Sequence, residues 1–157
     1  MAYLIDGNNL LGFLYPGRVR DPAHRALLIR QLQSFQRQTR FRVILVFDGA
    51  PPDGFPGPGR EKFSVVFPRE GETADTAIQE YVSGPRDRRR LVVVSSDRDL
   101  RTFARAAGAT SLPCDAFHRE LKKVLRARRE ARELEKFDDP ATNLEVKLWA
   151  EAFAKKR

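Results

Sequence analysis

The chain predicts an α/β fold on a parallel sheet. Short, almost wholly apolar runs such as RVILVF (42–47) and LVVV (91–94) recur along it. Stretches with helical spacing of apolar residues alternate with those runs. Several of the runs end directly on an aspartate, as strands do where they leave a sheet at its C-terminal edge. The 157 residues suffice for one domain with a real core.

Tyr3-Leu4-Ile5 reads as a short first strand ending at Asp6. Asp21-Pro22 opens a helix, with Pro near its first position, and Leu27, Leu28, Leu32 and Phe35 share one face of it. Residues 42–47 form a strand too apolar to alternate, hence buried on both faces, and it ends at Asp48. The segment 49–61, GAPPDGFPGPGRE, holds four Gly and four Pro and is a loop. FSVVF (63–67) is the next strand. A helix starts at about Thr73, carries Ala74, Ala77, Ile78 and Tyr81 on one side, and ends at Ser83-Gly84-Pro85. LVVV (91–94) is another buried strand, running through Ser95-Ser96 into Asp97.

The following helix carries Leu100, Phe103, Ala104 and Ala107 and stops at Gly108, a natural residue just past a helix end. Residues 109–112 form a short strand. With Asp115 as N-cap, a long charged helix runs to about Lys136 over a thin apolar stripe of Leu121, Val124, Leu125 and Leu134. A break at Phe137 to Pro140 follows. Thr142 and Glu145 then have capping-box spacing for a last helix, whose Leu144, Leu148, Trp149, Ala152 and Phe153 dock on the core. The expectation is a single domain over 1–157, with 116–157 a helical C-terminal extension packed on it.

A net charge of +8 and a pI near 10.1 point to a polyanionic partner, most simply nucleic acid. The single cysteine, Cys114, excludes an intramolecular disulfide framework and a thiolate zinc cluster, and suits a reducing cytoplasm. MAYLIDGNNL is not a signal peptide, and no apolar run approaches the roughly 18 residues of a membrane span. No Gly-rich phosphate loop occurs, which disfavours nucleotide-cofactor enzymes.

The chemistry rests on where the acids fall. Asp6, Asp48 and Asp97 each follow an apolar strand, and in an open parallel sheet those ends line one crevice. Asp75, within Glu72-Thr73-Ala74-Asp75, lies in the first turn of a helix that can face the same crevice. Singly, each has an ordinary role as a helix cap or turn residue. Together, neighbouring carboxylates repel and raise each other's pKa, and a divalent cation removes that penalty. Hard oxygen ligands without Cys, and with few His, select Mg²⁺ or Mn²⁺, which would activate water for in-line attack on a phosphodiester.

Around these acids, Asn8 and Asn9 either orient an acid or substrate or close a turn, and Ser96 either bonds the site or caps a helix. Asp99 is either a supporting acid or an exposed first-turn residue. His24 and His118 read as surface or packing residues. The candidates for holding a nucleic-acid backbone are Arg86, Arg88, Arg89 and Arg90, the cations of the 119–136 helix, among them Lys122, Lys123 and Arg126, and the tail Lys155-Lys156-Arg157. In the long helix, Glu120, Glu130, Glu133 and Glu135 offer those cations i,i+4 partners instead.

In order, Leu4-Ile5-Asp6-Gly7-Asn8-Asn9-Leu10, Val46-Phe47-Asp48, Glu72-Thr73-Ala74-Asp75 and Ser95-Ser96-Asp97 resemble the motifs of NYN-domain proteins, relatives of PIN-domain nucleases, and in particular the YacP-like bacterial group. The resemblance runs over nearly the whole chain. It implies a three-layer α/β/α PIN-like sandwich and a Mg²⁺- or Mn²⁺-dependent endoribonuclease with Asp6, Asp48, Asp75 and Asp97 as catalytic, metal-binding acids. Asn9 matches the asparagine of the opening motif, and Asn8 departs from a tyrosine often found there. Some of the group resemble ribosome-associated nucleases that cut mRNA during translation, which makes mRNA the expected substrate and the ribosome a candidate partner.

Two other classes compete. A non-catalytic RNA- or ribosome-binding protein on the same fold would bind RNA in a salt-dependent way without cutting it. Among other phosphoryl-transfer folds, a haloacid-dehalogenase-type phosphatase wants Asp where Asn8 stands. A toprim domain wants a strand-end Glu before Asp97-Arg98-Asp99, and every earlier strand end carries Asp.

Overall fold

The structure, a computed structural model, describes residues 1–59, 62–84, 87–137 and Leu148. Arg86, the expected last helix apart from Leu148, and the Lys155-Lys156-Arg157 tail lie outside the described residues. Five strands, β1 (Ala2–Asp6), β2 (Arg42–Val46), β3 (Phe63–Val66), β4 (Leu91–Val94) and β5 (Thr110–Leu112), form one sheet in the order β3-β2-β1-β4-β5. Every pairing is parallel, with Ile5 opposite Leu45 on one side and Val94 on the other.

The helices are α1 (Gly7–Leu14), α2 (Pro22–Thr39), α3 (Ala74–Ser83), α4 (Arg98–Ala106) and α5 (Cys114–Phe137). Alternating strand residues feed two cores, which is why the strands read as continuous apolar runs. Tyr3, Ile5, Val43, Leu45, Val92 and Val94 pack with α1, α2 and α5. Leu4, Ile44, Val46, Leu91 and Val93 pack with α3 and α4. The result is the expected three-layer α/β/α sandwich.

The segment between β2 and β3 crosses over without a helix among the described residues. Pro58 accepts a hydrogen bond from the Val65 N–H at 2.8 Å, so the Pro- and Gly-rich loop covers the open edge of β3 and blunts it. No helix among the described residues is long and apolar enough to cross a membrane.

Three sequence expectations need correction. α1 was not anticipated: GNNLLGFL is rich in Gly and Asn, poor helix formers, yet Leu10 and Leu11 are fully buried and Asp6 caps the helix. Asp115 is not the N-cap of α5 but lies in its first turn, because the helix already begins at Cys114. Leu134 is 67% exposed, so the stripe that docks α5 runs through Phe117, Leu121, Val124 and Leu125 and stops there.

Candidate active site

The strand order reverses direction between β1 and β4, since the chain steps from β1 to β2 and β3 on one side and then crosses to β4 and β5 on the other. The crevice outside the C-terminal strand ends at such a point is where open α/β sheets bind ligands. Asp6 closes β1 and Asp97 follows β4, so these two acids flank it.

Each acid is fixed by a helix start. Asp6 is the N-cap of α1, its Oδ1 accepting the Asn9 N–H at 3.4 Å. Asp97 caps α4 through the Leu100 N–H at 3.0 Å. Asp48 accepts the N–H of Ala74, the first residue of α3, at 2.7 Å. Asp75 sits in the first turn of that same helix, behind the N-cap Thr73. The capping role therefore brings the acids together: three helix N-termini, each favouring negative charge, aim at one sheet edge. Capping engages only Oδ1 of Asp48 and Asp97. Their Oδ2 atoms and both carboxylate oxygens of Asp75 accept no hydrogen bond among the described residues.

The two asparagines of the first motif hold the loops that carry these acids. Asn8 Oδ1 accepts the Asp48 N–H at 3.2 Å. Asn9 Oδ1 accepts the Ser96 N–H at 2.7 Å and the Cys114 S–H at 3.1 Å. Ser96 in turn accepts the Cys114 N–H at 3.1 Å, so it caps α5 from a neighbouring strand end. The sequence had not singled out Ser95. It is fully buried, donates to Asp6 Oδ2 at 3.2 Å and accepts the Asp97 N–H at 3.1 Å, joining the two flanking acids. The parallel register could have flagged it, because one step beyond the Ile5–Val94 pair sets Ser95 beside Asp6. Glu72 donates its backbone N–H to the Arg69 carbonyl, with its side chain half-buried and without a hydrogen bond among the described residues.

The electrostatics show which of the acids feel one another's charge. Burial, followed by the charges of Asp75 and Asp48, pushes Asp6 up to about 6 against the opposing hydrogen bonds from Asn9 and Ser95. Burial raises Asp75 as well, reinforced by Asp97, Asp48 and Asp99. None of these five acids joins an ion pair among the described residues. That donor set, all hard oxygen and short of positive charge, fits a hard divalent cation. As the side chains stand, no three His, Cys, Asp or Glu among the described residues are grouped closely enough to hold one.

Among the described residues, the cations expected to hold the nucleic acid fall in two places. Arg88, Arg89 and Arg90 form a single 3-10 turn immediately before β4. They therefore sit at the sheet edge opposite the acids, roughly 13 Å away along a four-residue strand. Arg88 completes the C-terminus of α3, donating to the Val82 and Ser83 carbonyls at 2.9 and 3.2 Å. Lys122, Lys123 and Arg126 are exposed on α5, and Arg126 pairs with Glu130 at 3.0 Å in the i,i+4 manner. Two arginines that the sequence reading did not nominate, Arg20 and Arg25, line a cavity of about 430 Å³ with Asn8 and Asp48. Nothing in their sequence context separates them from the many other arginines.

The family model of the YacP-like NYN domain matches residues 3–156. The chain is similar to the crystal structure of Rae1 (YacP) from Bacillus subtilis, with a TM-score of 0.70 and 22% identity over 99% of this chain and 93% of that one. It is similar also to the W164L mutant of that protein, with a TM-score of 0.69 and 25% identity over 93% and 90% of the two chains. No curated protein matches.

Proposed function

The chain belongs to the family of YacP-like NYN domains, a nuclease-type, RNA-processing family, and from that premise we propose that it is a divalent-metal-dependent endoribonuclease that hydrolyses RNA phosphodiester bonds. The observation that carries this reading is the cluster of Asp6, Asp48, Asp75, Asp97 and Asp99 at the switch-point edge, mutually repelling and with none of them in an ion pair among the described residues. Asp6, Asp48, Asp75 and Asp97 would hold Mg²⁺ or Mn²⁺. A divalent ion there supplies charge stabilisation at the phosphodiester and a more acidic water.

The protein's own part is positional. Asn8 and Asn9 fix the backbones of Asp48 and Ser96, and Ser95 sets the spacing of Asp6 and Asp97. Asp48 and Asp97 keep Oδ2 available while Oδ1 caps a helix. The substrate class is mRNA, with the ribosome as the partner that presents it and the cytoplasm as the setting.

One observation favours a second reading, a non-catalytic RNA- or ribosome-binding protein: three of the acids already serve as caps, and no three stand in ligating range among the described residues. Asp97→Asn separates the two. Asn caps helices as well as Asp does, so the fold should persist, while Mn²⁺-dependent cleavage of single-stranded or ribosome-bound RNA falls by about a hundredfold or more, the scale of a lost electrostatic stabiliser. Undiminished cleavage by the variant removes the assigned site. A wild type that cuts neither RNA with Mg²⁺ or Mn²⁺ establishes the second reading.

A further inference from the structure

Two cavities meet at Arg20 and Arg25. The first, described above, has Asp48 on its wall. The second, of about 260 Å³, shares both arginines and lies between α2, β3 and the 49–59 loop, where Phe55 and Phe67 face it over a floor of buried Phe47. Phe55 and Phe67 meet edge to face, centroids 5.1 Å apart at 83°. The Arg25 guanidinium is held in place: its Nε donates to the Val19 carbonyl at 3.0 Å, and its Cζ lies 4.8 Å from the Phe47 ring centroid. Arg20 is exposed, and neither arginine joins an ion pair among the described residues. Arg20 and Arg25 feel each other's charge, with Asp48 the one acid among the described residues whose charge reaches Arg25, and two neighbouring cations outside any ion pair favour an anion between them.

We propose that these paired cavities form a nucleotide subsite for single-stranded RNA, in which Arg20 and Arg25 hold a phosphate beside the acid cluster and the attached base enters the Phe55–Phe67 cavity. This rests on the nuclease reading of the adjoining site. Alternating phosphate-binding cations with ring faces is how proteins follow a single strand without reading its sequence. The perpendicular rings offer an inserted base one face for stacking and one edge for a T-shaped contact. The cavity falls below the roughly 300–1,000 Å³ of drug-sized sites, which suits a single base. A base paired within an A-form duplex cannot enter, so the subsite selects unpaired RNA. If Phe55 merely anchored the Pro- and Gly-rich loop, its replacement would change stability and leave RNA affinity alone.

The test is fluorescence anisotropy of a labelled single-stranded RNA octamer with the full chain in EDTA, where cleavage is not needed for a signal. Phe55→Leu, which keeps apolar bulk but loses the ring, should weaken binding on the order of tenfold, and Phe55→Tyr should restore it. Arg20→Ala should weaken binding and reduce the slope of log affinity against log salt by about 0.7, one phosphate's share for a single strand. The octamer annealed to its complement should bind more weakly and not respond to Phe55→Leu. Wild-type affinity in either Phe55→Leu or Arg20→Ala overturns the proposal, and Arg20→Ala decides the matter if Phe55→Leu proves poorly folded. Parallel cleavage with Mn²⁺ keeps the two readings distinct. RNA cut equally well by wild type and both variants, with equal affinity, leaves the nuclease and removes the subsite. Binding with the expected sensitivities but without cleavage does the reverse.

Discussion

Replacing Asp6 by Asn should stabilise this protein at neutral pH while disabling it. Asp6 is only 5% exposed. Its carboxyl rises from an ordinary 3.8 to about 6, through burial first and then through Asp75 and Asp48. Each tenfold change in proton affinity is worth about 1.4 kcal/mol. Keeping Asp6 ionised at neutral pH therefore costs the native state about 3 kcal/mol relative to the unfolded chain. Because the native value lies above the unfolded one, this cost is absent below about pH 3.8, grows between there and about pH 6, and is complete above it. Asparagine is neutral throughout, and its amide can still accept from the Asn9 N–H and donate to Ser95 Oγ. The net gain should be about 1–3 kcal/mol, or roughly 2–12 °C in Tm for a chain of this size. The assay is thermal unfolding by circular dichroism without metal, at about pH 7.5 and about pH 4. The variant should melt higher at the first pH and level with wild type at the second. A variant less stable at neutral pH, or one whose advantage is the same at both, would refute the reasoning. Added Mn²⁺ should raise the wild-type Tm and move the variant far less.

Ser95→Ala removes the O–H that Asp6 Oδ2 accepts and the acceptor of the Asp97 N–H, and should cost about 1–3 kcal/mol. Because that hydrogen bond holds the Asp6 pKa down, its loss should also carry the acid limb of the pH–rate profile to higher pH; an unmoved limb would count against Asp6 as the group it reports. Gly7→Ala would put a Cβ 2.7 Å from Phe47 Cδ1 and 2.8 Å from the Val46 carbonyl, an overpacking worth about 1–3 kcal/mol. It should lower the urea midpoint without changing the slope, and a wild-type midpoint would show that the α1–β2 approach is looser than this.

The strands and their terminal aspartates were legible because both signals are local: an apolar run, then Asp. The lattice that assembles them was not. Asn8 reaches across 40 residues to Asp48, and Asn9 across 87 to Ser96, and neither separation leaves a mark in a single sequence. α1 escaped because its Gly and Asn content argues against a helix, whereas burial of Leu10 and Leu11 and the close approach at Gly7 decide in favour of one. The Arg88–Arg90 run shows a different lesson. A charge run directly before a strand must sit at that strand's N-terminal edge, which in an all-parallel sheet is opposite the acids. Charge alone nominated those residues, whereas Arg20 and Arg25 share a cavity with Asp48.

The central claim is that the four aspartates together hold a divalent ion. A crystal soaked in millimolar Mn²⁺ and measured for anomalous scattering tests it most directly. One or two strong peaks are expected between Asp6, Asp48, Asp75 and Asp97, with the free Oδ2 atoms of Asp48 and Asp97 turned toward them. Crystals whose anomalous map is empty there, with the acid side chains still in their capping positions, would contradict it.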